Sequence, residues 1–219
     1  MSDSAKPMAV PVAHVLDPRL SQVLEYWLGA EMPTNESALS RQKLWFTKSE
    51  ETDEEIRHLF GGLLQEALAG KLDAEAMEQP LGLLAVLIVL DQFTRNAYRG
   101  TPKSFAGDAK ALQLALKGID LGWDVDERIP PVARIFLYLP LEHAESMEMQ
   151  QNSVVAFEQL YQEAPSSELI DFFAGTLDYA HKHLEVIQKF GRFPHRNSIL
   201  GRESTAAEKE YLSKPGAGF

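Results

Sequence analysis

The chain contains no cysteine among its 219 residues. This absence excludes disulfide bonds, thiolate nucleophiles and zinc sites ligated by cysteine. Long hydrophobic runs are also absent. The longest, at residues 81–90, is far shorter than the roughly 20 residues that a membrane-spanning helix needs. We therefore expect no segment that enters a membrane.

The N-terminal segment lacks the cationic stretch and long apolar stretch of a signal peptide. We therefore expect a flexible tail at residues 1–16 and a cytoplasmic protein. The length and the apolar content of 45% are typical of one globular domain. We expect that domain at residues 17–213 and a C-terminal tail at residues 214–219, and the oligomeric state stays open.

Positive charge is scarce, since 21 lysines and arginines stand against 32 aspartates and glutamates, which gives a formal net charge of −11. Proteins that bind nucleic acids or anionic membranes usually present a basic face. We therefore expect neither nucleic acid nor a membrane as a partner.

Several catalytic motifs are missing. The sequence has no phosphate-binding loop, no dinucleotide fingerprint, no Gly-x-Ser-x-Gly elbow and no His-Glu-x-x-His pair. Ser198 and Ser204 lie near His195, but no third member of a catalytic triad is evident. We expect no cofactor and no bound metal, and the sequence does not decide whether the protein is an enzyme.

The hydrophobic pattern is helical nearly throughout, without the alternation of a half-buried strand. It predicts an all-α fold of about eight or nine helices, joined by short connections into antiparallel helical hairpins. Pro80 opens an apolar helix that we expect at the centre of the bundle. Pro140 is expected to interrupt a helix, and residues 141–161 to form one long helix.

Two short segments hold five of the ten arginines. The first arginine motif is FTRNAYRG at residues 93–100, and the second is KFGRFPHRNSILGR at residues 189–202. Guanidinium groups beside asparagines suit a carboxylate or phosphate, because the planar fork donates two parallel hydrogen bonds. The residues that we expect to bind a small anionic ligand are Arg95, Asn96, Arg99, Arg192, Arg196, Asn197 and Arg202. The alternative is structural, with Asp91, Asp108, Glu142 or Glu145 as internal partners of the arginines.

Two histidines are candidates for proton transfer. His143 stands among Glu142, Glu145 and Glu148, and His195 lies inside the second arginine motif. A histidine beside a carboxylate can act as a general acid or base. We therefore name His143, Glu145 and His195 as candidate catalytic residues. The alternatives for His143 are metal binding and a simple polar contact on an exposed acidic face.

A third histidine group lies at DYAHKHLE, residues 178–185. Asp178 and His181 have the spacing of half a carboxylate-bridged di-iron site, but no second pair is found at the right place. We expect His181 to form a hydrogen bond inside the bundle and His183 to face solvent.

The arginine motifs also carry a family resemblance. The segments LDQFTRNAYRGTPKSFAGDAKAL, YLPLEHAES and FGRFPHRNSILGRESTAAE resemble the bacterial family known as domain of unknown function 924, over nearly the whole chain. The resemblance implies a tetratricopeptide-like all-helical fold and supplies no activity. The motif residues that it marks are Asp91, Gln92, Phe93, Arg95, Asn96, Arg99, Phe105, Asp108, His143, Glu145, Gln150, His181, Gly191, Arg192, Phe193, Pro194, His195, Arg196, Asn197, Gly201, Arg202 and Thr205.

Three functional hypotheses follow from the sequence. The first is binding of a small anion in an arginine-lined cleft, with enzymatic activity left open, and a deep closed pocket would favour it. The second is a tetratricopeptide-like module that binds a protein or a peptide carboxylate, and a long open groove would favour it. The third is a purely structural role for the arginine motifs, which fully paired arginines without a cavity would favour.

Overall fold

The computed structural model describes residues 15–218. Nearly all of the expected N-terminal tail therefore lies outside the described residues. Those residues form helices and turns, without a strand. Residues 15–218 contain twelve α-helical segments, of which eight have seven residues or more, in agreement with the expected all-α fold.

The bounds of the α-helices are α1 Pro18–Leu28, α2 Asn35–Leu39, α3 Gln42–Phe46, α4 Glu50–Leu68, α5 Asp73–Ala76, α6 Pro80–Leu87, α7 Thr94–Ala97, α8 Asp108–Asp120, α9 Pro131–Glu142, α10 Met147–Gln162, α11 Ser167–Phe190 and α12 Ala206–Leu212. A π-helical segment, Ile88–Phe93, joins α6 to α7 without a break. Short 3-10 turns occupy Pro102–Phe105, Trp123–Val125 and Pro194–Arg196.

Helix α6 lies at the centre of the core, as its sequence predicts. All eight of its residues are buried, because none of them is polar and the helix therefore has no face that favours contact with water. Helices α1, α5, α8 and α9 pack around it. The π-helical segment extends this buried axis, so the polar residues that follow Leu90 emerge from the middle of the protein.

The expected interruption at Pro140 is wrong, because α9 continues through that residue to Glu142. Residues 141–161 are not one helix either, since a turn separates α9 from Met147, where α10 begins. The side chain of Gln150 explains this turn. Its Nε2 donates hydrogen bonds to the carbonyls of Glu142 at 2.5 Å and Ala144 at 2.9 Å, which lack helical partners at the end of α9.

Helices α10 and α11 pack against each other, and the connection of four residues between them requires α11 to run back along α10. On α11 the expectation for two histidines is wrong, because His183 is buried and His181 is exposed. The reason is helical phase. His183 follows the buried residues Phe173 and Ala180 at helical spacing, whereas His181 lies on the opposite side.

The C-terminal region folds back on α11. Gly191 ends that helix with a positive φ of 68°, a conformation that glycine adopts without strain. Helix α12 then begins with a capping box formed by Thr205 and Glu208. Phe193 packs with Val186 and Ile187 in a small second apolar cluster. The second arginine motif is thereby placed against the end of α9.

Candidate functional site

The π-helical segment shapes the first arginine motif. A π-turn disturbs the regular hydrogen bonds of an α-helix, and side chains supply partners for two of its carbonyls. Thr94 Oγ1 donates to the carbonyl of Leu90 at 2.6 Å, and Arg95 Nη1 donates to the carbonyl of Asp91 at 2.6 Å. The wider turn holds Asp91 inside the protein with 1% exposure.

Asp91 orients the imidazole of His143. Its Oδ1 lies 2.8 Å from His143 Nδ1, and Gln92 Nε2 donates to its Oδ2 at 2.5 Å. Burial favours the neutral acid, but the charge of Arg95 and the contact with His143 outweigh it and hold the pKa of Asp91 well below its usual range. An ionised Asp91 accepts a hydrogen bond from Nδ1–H of His143, so Nε2 is the ring nitrogen available to a ligand.

The pKa of His143 is lowered, chiefly by burial and then by the nearby charge of Arg95, while Asp91 opposes the shift. At neutral pH His143 is therefore a neutral imidazole. A neutral imidazole with a polarised Nδ1–H can accept a proton at Nε2.

Asp108 joins the two arginine motifs. Arg95 binds both of its carboxylate oxygens, at 2.9 and 3.3 Å, and Arg196 Nη1 donates to its Oδ2 at 3.0 Å. The sequence named Asp108 among possible internal partners, and the structure gives it that position. The motifs meet in space as expected, but around a carboxylate of the protein itself.

The guanidinium of Arg196 is enclosed by protein. It lies between the rings of Phe105 and Phe193, 4.6 Å from each centroid. Its Nη2 donates to the carbonyl of His143 at 3.0 Å, and its buried Nε has no partner among the described residues. Burial lowers the pKa of Arg196. This arginine supports the backbone at His143, and it does not line the pocket described below.

Two more predicted ligand residues bind a carboxylate that sequence interpretation missed. Asn96 Nδ2 donates to Asp53 Oδ1 at 2.8 Å, and Arg99 binds both oxygens of Asp53 at 2.6 and 2.8 Å. Asp53 lies on the buried face of α4. Nothing in the local sequence around Asp53 marks it as the partner of a residue 46 positions away.

The remaining arginines of the second motif also have internal partners. Arg202 forms a two-pronged ion pair with Glu145 at 2.7 and 2.8 Å, and its Nε donates to Asn197 Oδ1 at 2.9 Å. Arg192 binds both oxygens of Glu208 at 2.7 and 2.9 Å. These contacts fasten the C-terminal turn to α12 and to the end of α9. They match the structural alternative for these arginines.

A pocket of about 500 Å³ opens beside the Asp91–His143 pair. The residues that line it are Gln42, Trp45, Phe46, Gln92, Arg95, Ile135, Leu139, Glu142, His143, Phe157, Phe172, Gly175, Thr176, Tyr179 and His183. Its walls are therefore largely aromatic and aliphatic. Phe46 and Tyr179, with 65% and 50% exposure, mark its mouth, whereas Glu142 and His183 are buried at its base.

Glu142 and His183 are the buried polar pair among the residues that line the pocket. Glu142 Oε1 lies 3.1 Å from His183 Nδ1, which also lies 2.8 Å from the carbonyl of Tyr179. Burial, and then the charge of Asp91, raises the pKa of Glu142 to about 8. Burial, and then His143, lowers the pKa of His183 to about 3. At neutral pH both groups are therefore uncharged.

The three candidate catalytic residues thus have different surroundings. His143 lines the pocket, but Glu145 and His195 are not among the lining residues. Glu145 accepts hydrogen bonds from Arg202 and from the backbone N–H of Phe193 at 2.8 Å. Burial, and then Arg196, lowers the pKa of His195 to about 4. Glu142 and His183 reach the pocket instead. The helical phase of α11 could have identified His183.

Residues 15–218 contain no group of three or more histidine or acidic side chains placed to hold a metal ion. Within the same range, no helix combines the length and the apolar character that crossing a membrane would require.

Comparisons with known proteins identify one family and one similar solved structure. A family model described as a bacterial protein of unknown function (DUF924) matches residues 23–216. Among solved structures, the protein of unknown function ATU0120 from Agrobacterium tumefaciens is similar, with 30% sequence identity and a TM-score of 0.71. The match covers 88% of this chain and 96% of that chain. A search of curated proteins finds no significant match.

Proposed function

Because the chain belongs to the DUF924 family, whose description names no activity, we propose a function from the pocket itself. We propose that the protein binds a small organic ligand with an apolar body and an anionic group. The apolar body would contact the aromatic walls, and Arg95 and His143 would face the anion. The observation that carries this proposal is the presence of Arg95, His143 and Glu142 together in the lining of one largely apolar pocket.

The size and lining of the pocket support a small ligand. About 500 Å³ lies within the range of small-molecule sites, which are mostly apolar and contain a few polar groups that fix orientation. Trp45, Phe157 and Phe172 supply flat apolar surface, which suits an aromatic or branched group.

The charges around the pocket predict how an anion would bind. Asp91 and Asp108 balance the charges of Arg95 and Arg196, so the base has no large positive excess. A bound anion would raise the pKa of His143, because it stabilises the imidazolium. We therefore expect anion binding to be coupled to proton uptake, with affinity that rises as the pH falls.

Fewer arginines face the ligand in this proposal than the sequence predicted for the arginine-lined cleft. Arg95 is the arginine that lines the pocket, while the pairings of Arg99, Arg192 and Arg202 support structural roles for them. A tetratricopeptide-like interaction module stays a prediction. A peptide would present the same chemistry through its terminal carboxylate, so an extended peptide belongs in the same test.

The test uses a pair of glycine substitutions. Gly175 lines the pocket on α11, and Gly62 is an exposed glycine of α4, and neither has a neighbouring atom within 4 Å of an added Cβ. Gly175→Leu should fill the pocket, whereas Gly62→Leu should leave it open. Thermal shift and calorimetry with phenylacetate, phenyl phosphate and a tetrapeptide ending in phenylalanine would measure binding.

We expect phenylacetate or phenyl phosphate to raise the melting temperature of the wild type and of Gly62→Leu, but not of Gly175→Leu. Binding of the tetrapeptide alone would favour the interaction module. If no probe binds, or if Gly175→Leu binds as well as the wild type, the proposed pocket function is wrong.

A further inference from the structure

Two groups with opposite proton-transfer abilities lie side by side in the pocket. Glu142 is the last residue of α9, and His143 follows it directly. Both line the pocket. Glu142 Oε1 lies 3.1 Å from His183 Nδ1, and the ring centroid of His183 lies 6.2 Å from that of His143. His183 therefore places the carboxyl of Glu142 and the imidazole of His143 close enough for one ligand to contact both.

His143 has the arrangement of a base. Asp91 Oδ1 lies 2.8 Å from Nδ1 and fixes the tautomer with the proton on that nitrogen. The carbonyl of His143 is held by Arg196 Nη2 at 3.0 Å, so its backbone is fixed as well. The contacts with Asp91 and Arg196 therefore fix the direction of the lone pair on His143 Nε2.

Glu142 has the arrangement of an acid. Among the described residues, the basic side chain within ion-pair distance of it is His183. The carbonyl oxygen of Tyr179 can only accept a hydrogen bond, so His183 Nδ1 must carry a proton and donate it. A neutral imidazole cannot stabilise a carboxylate as a cation would. Burial and the charge of Asp91 therefore keep Glu142 protonated at neutral pH.

We propose that the pocket is a proton-transfer centre in which Glu142 gives a proton to the bound ligand and His143 takes one from it. This inference rests on the proposed function. Its substrate class is a carboxylic acid with an apolar body and a C–H bond next to a carbonyl. Arg95 would face the carboxylate, and the apolar group would contact Trp45 and Phe172.

The step is an enolisation in which atoms and charges balance. His143 Nε2 takes the proton from carbon, and the electrons of that C–H bond form the carbon–carbon double bond. The carbonyl oxygen, with the electrons of its π bond, takes the proton of Glu142 and becomes the hydroxyl group of the enol. His143 becomes a cation as Glu142 becomes an anion, so the pocket keeps its net charge. Reversal returns the keto form.

Charged or titratable groups on four neighbouring elements bear on these two residues. The segment 88–97 contributes Asp91 and Arg95, α8 contributes Asp108, α11 contributes His183, and the second arginine motif contributes His195 and Arg196. The two acids and the two arginines among them balance. The rate should therefore follow a bell-shaped pH profile, limited at low pH by protonation of His143 and at high pH by ionisation of Glu142.

The experiment uses phenylpyruvate in deuterated water. Proton NMR would follow the loss of the C3 protons in the presence of the wild type, Glu142→Gln, His143→Gln and the control Gly62→Leu. Calorimetry would measure binding to each protein, and circular dichroism would show whether each is folded. We expect the wild type and the control to accelerate exchange, and folded Glu142→Gln to lose about 100-fold or more while still binding phenylpyruvate.

The outcomes separate this inference from the function beneath it. Phenylpyruvate that binds but exchanges at the buffer rate overturns the proton-transfer centre and leaves the binding pocket standing. Acceleration that survives in Glu142→Gln and His143→Gln also overturns it. If neither variant folds, the pH profile of the wild type decides. An exchange rate that does not decline at high pH overturns the proton-transfer centre. Failure of phenylpyruvate and of every other probe to bind overturns both proposals.

Discussion

Arg196 Nη1 donates a hydrogen bond to Asp108 Oδ2 at 3.0 Å, although 88 positions separate the two residues in the chain. Arg95 binds the same carboxylate. The two arginine motifs therefore meet around an acid of the protein, and the functional question moves to the pocket beside them. This pairing also makes Arg196 a strong test of what holds the fold together.

We expect Arg196→Met to destabilise the protein by about 3–5 kcal/mol. The substitution leaves Asp108 with one cationic partner fewer and removes the guanidinium between Phe105 and Phe193. Urea unfolding would measure the change. Lys214→Met is the matched control, because its ion pair with Glu210 is exposed and should contribute about 0–1 kcal/mol. Equal effects of the two substitutions would contradict a structural role for Arg196.

Gly107→Ala should destabilise the protein by about 3 kcal/mol or more, because an added Cβ would overlap the carbonyl oxygen of Leu90 in the π-helical segment. The backbone of both residues would have to move apart. Gly61→Ala is the control, since no atom lies within 4 Å of its added Cβ. In the middle of α4 it should stabilise by about 0.5–1 kcal/mol. Thermal unfolding of both variants would show whether the signs differ.

Glu142→Gln should change the pH dependence of stability. The pKa of Glu142 is raised to about 8 in the folded protein, so between its ordinary value of 4.5 and pH 8 the folded state holds a proton that the unfolded state releases. Stability is therefore lost as pH rises through this window, by up to about 1.4 kcal/mol per pH unit. Glutamine removes this loss.

Urea unfolding at several pH values from 5 to 8 would test this. The stability of Glu142→Gln relative to the wild type should increase steadily with pH. The exposed Glu185→Gln on α11 should run parallel to the wild type. Parallel curves for Glu142→Gln as well would show that Glu142 is ionised in the folded protein at neutral pH, against the proposed acid.

Acid should loosen the C-terminal helix. Hydrogen bonds from Arg192 lower the pKa of Glu208 to about 2, so its contribution to stability is present above the ordinary value of 4.5 and is lost as pH falls toward 2. Hydrogen exchange of the α12 amides should therefore speed up between pH 4.5 and 2, after correction for intrinsic rates. Glu208→Gln should show fast exchange already at pH 6, and the exposed Glu210→Gln should behave as the wild type.

Several elements were predictable because their signals are local. The central position of α6 follows from its continuous apolar sequence, and the start of α12 follows from the spacing of Thr205 and Glu208. The meeting of the two arginine motifs was also expected. Local chemistry does not decide which acid an arginine will bind, however, and Asp53 became the partner of Arg99 only through the packing of α4.

The pocket was harder to predict than the fold. Its polar base depends on the register of α11, where a displacement of two residues exchanges buried His183 for exposed His181. It also depends on the end of α9, where Gln150 stops the helix directly after Glu142. Each is a small choice of helical phase or length that periodicity alone leaves undetermined.

Because of the π-helical segment, the number of residues between α6 and α7 cannot change without disturbing the fold. Each residue of an α-helix turns the chain by about 100°, so deletion of one residue from 88–93 would restore a regular helix and rotate everything before it relative to everything after it. Asp91 would leave His143, or Arg99 would leave Asp53. An amino-acid replacement here alters one contact, whereas a one-residue insertion or deletion would separate the buried core from the pocket that it supports.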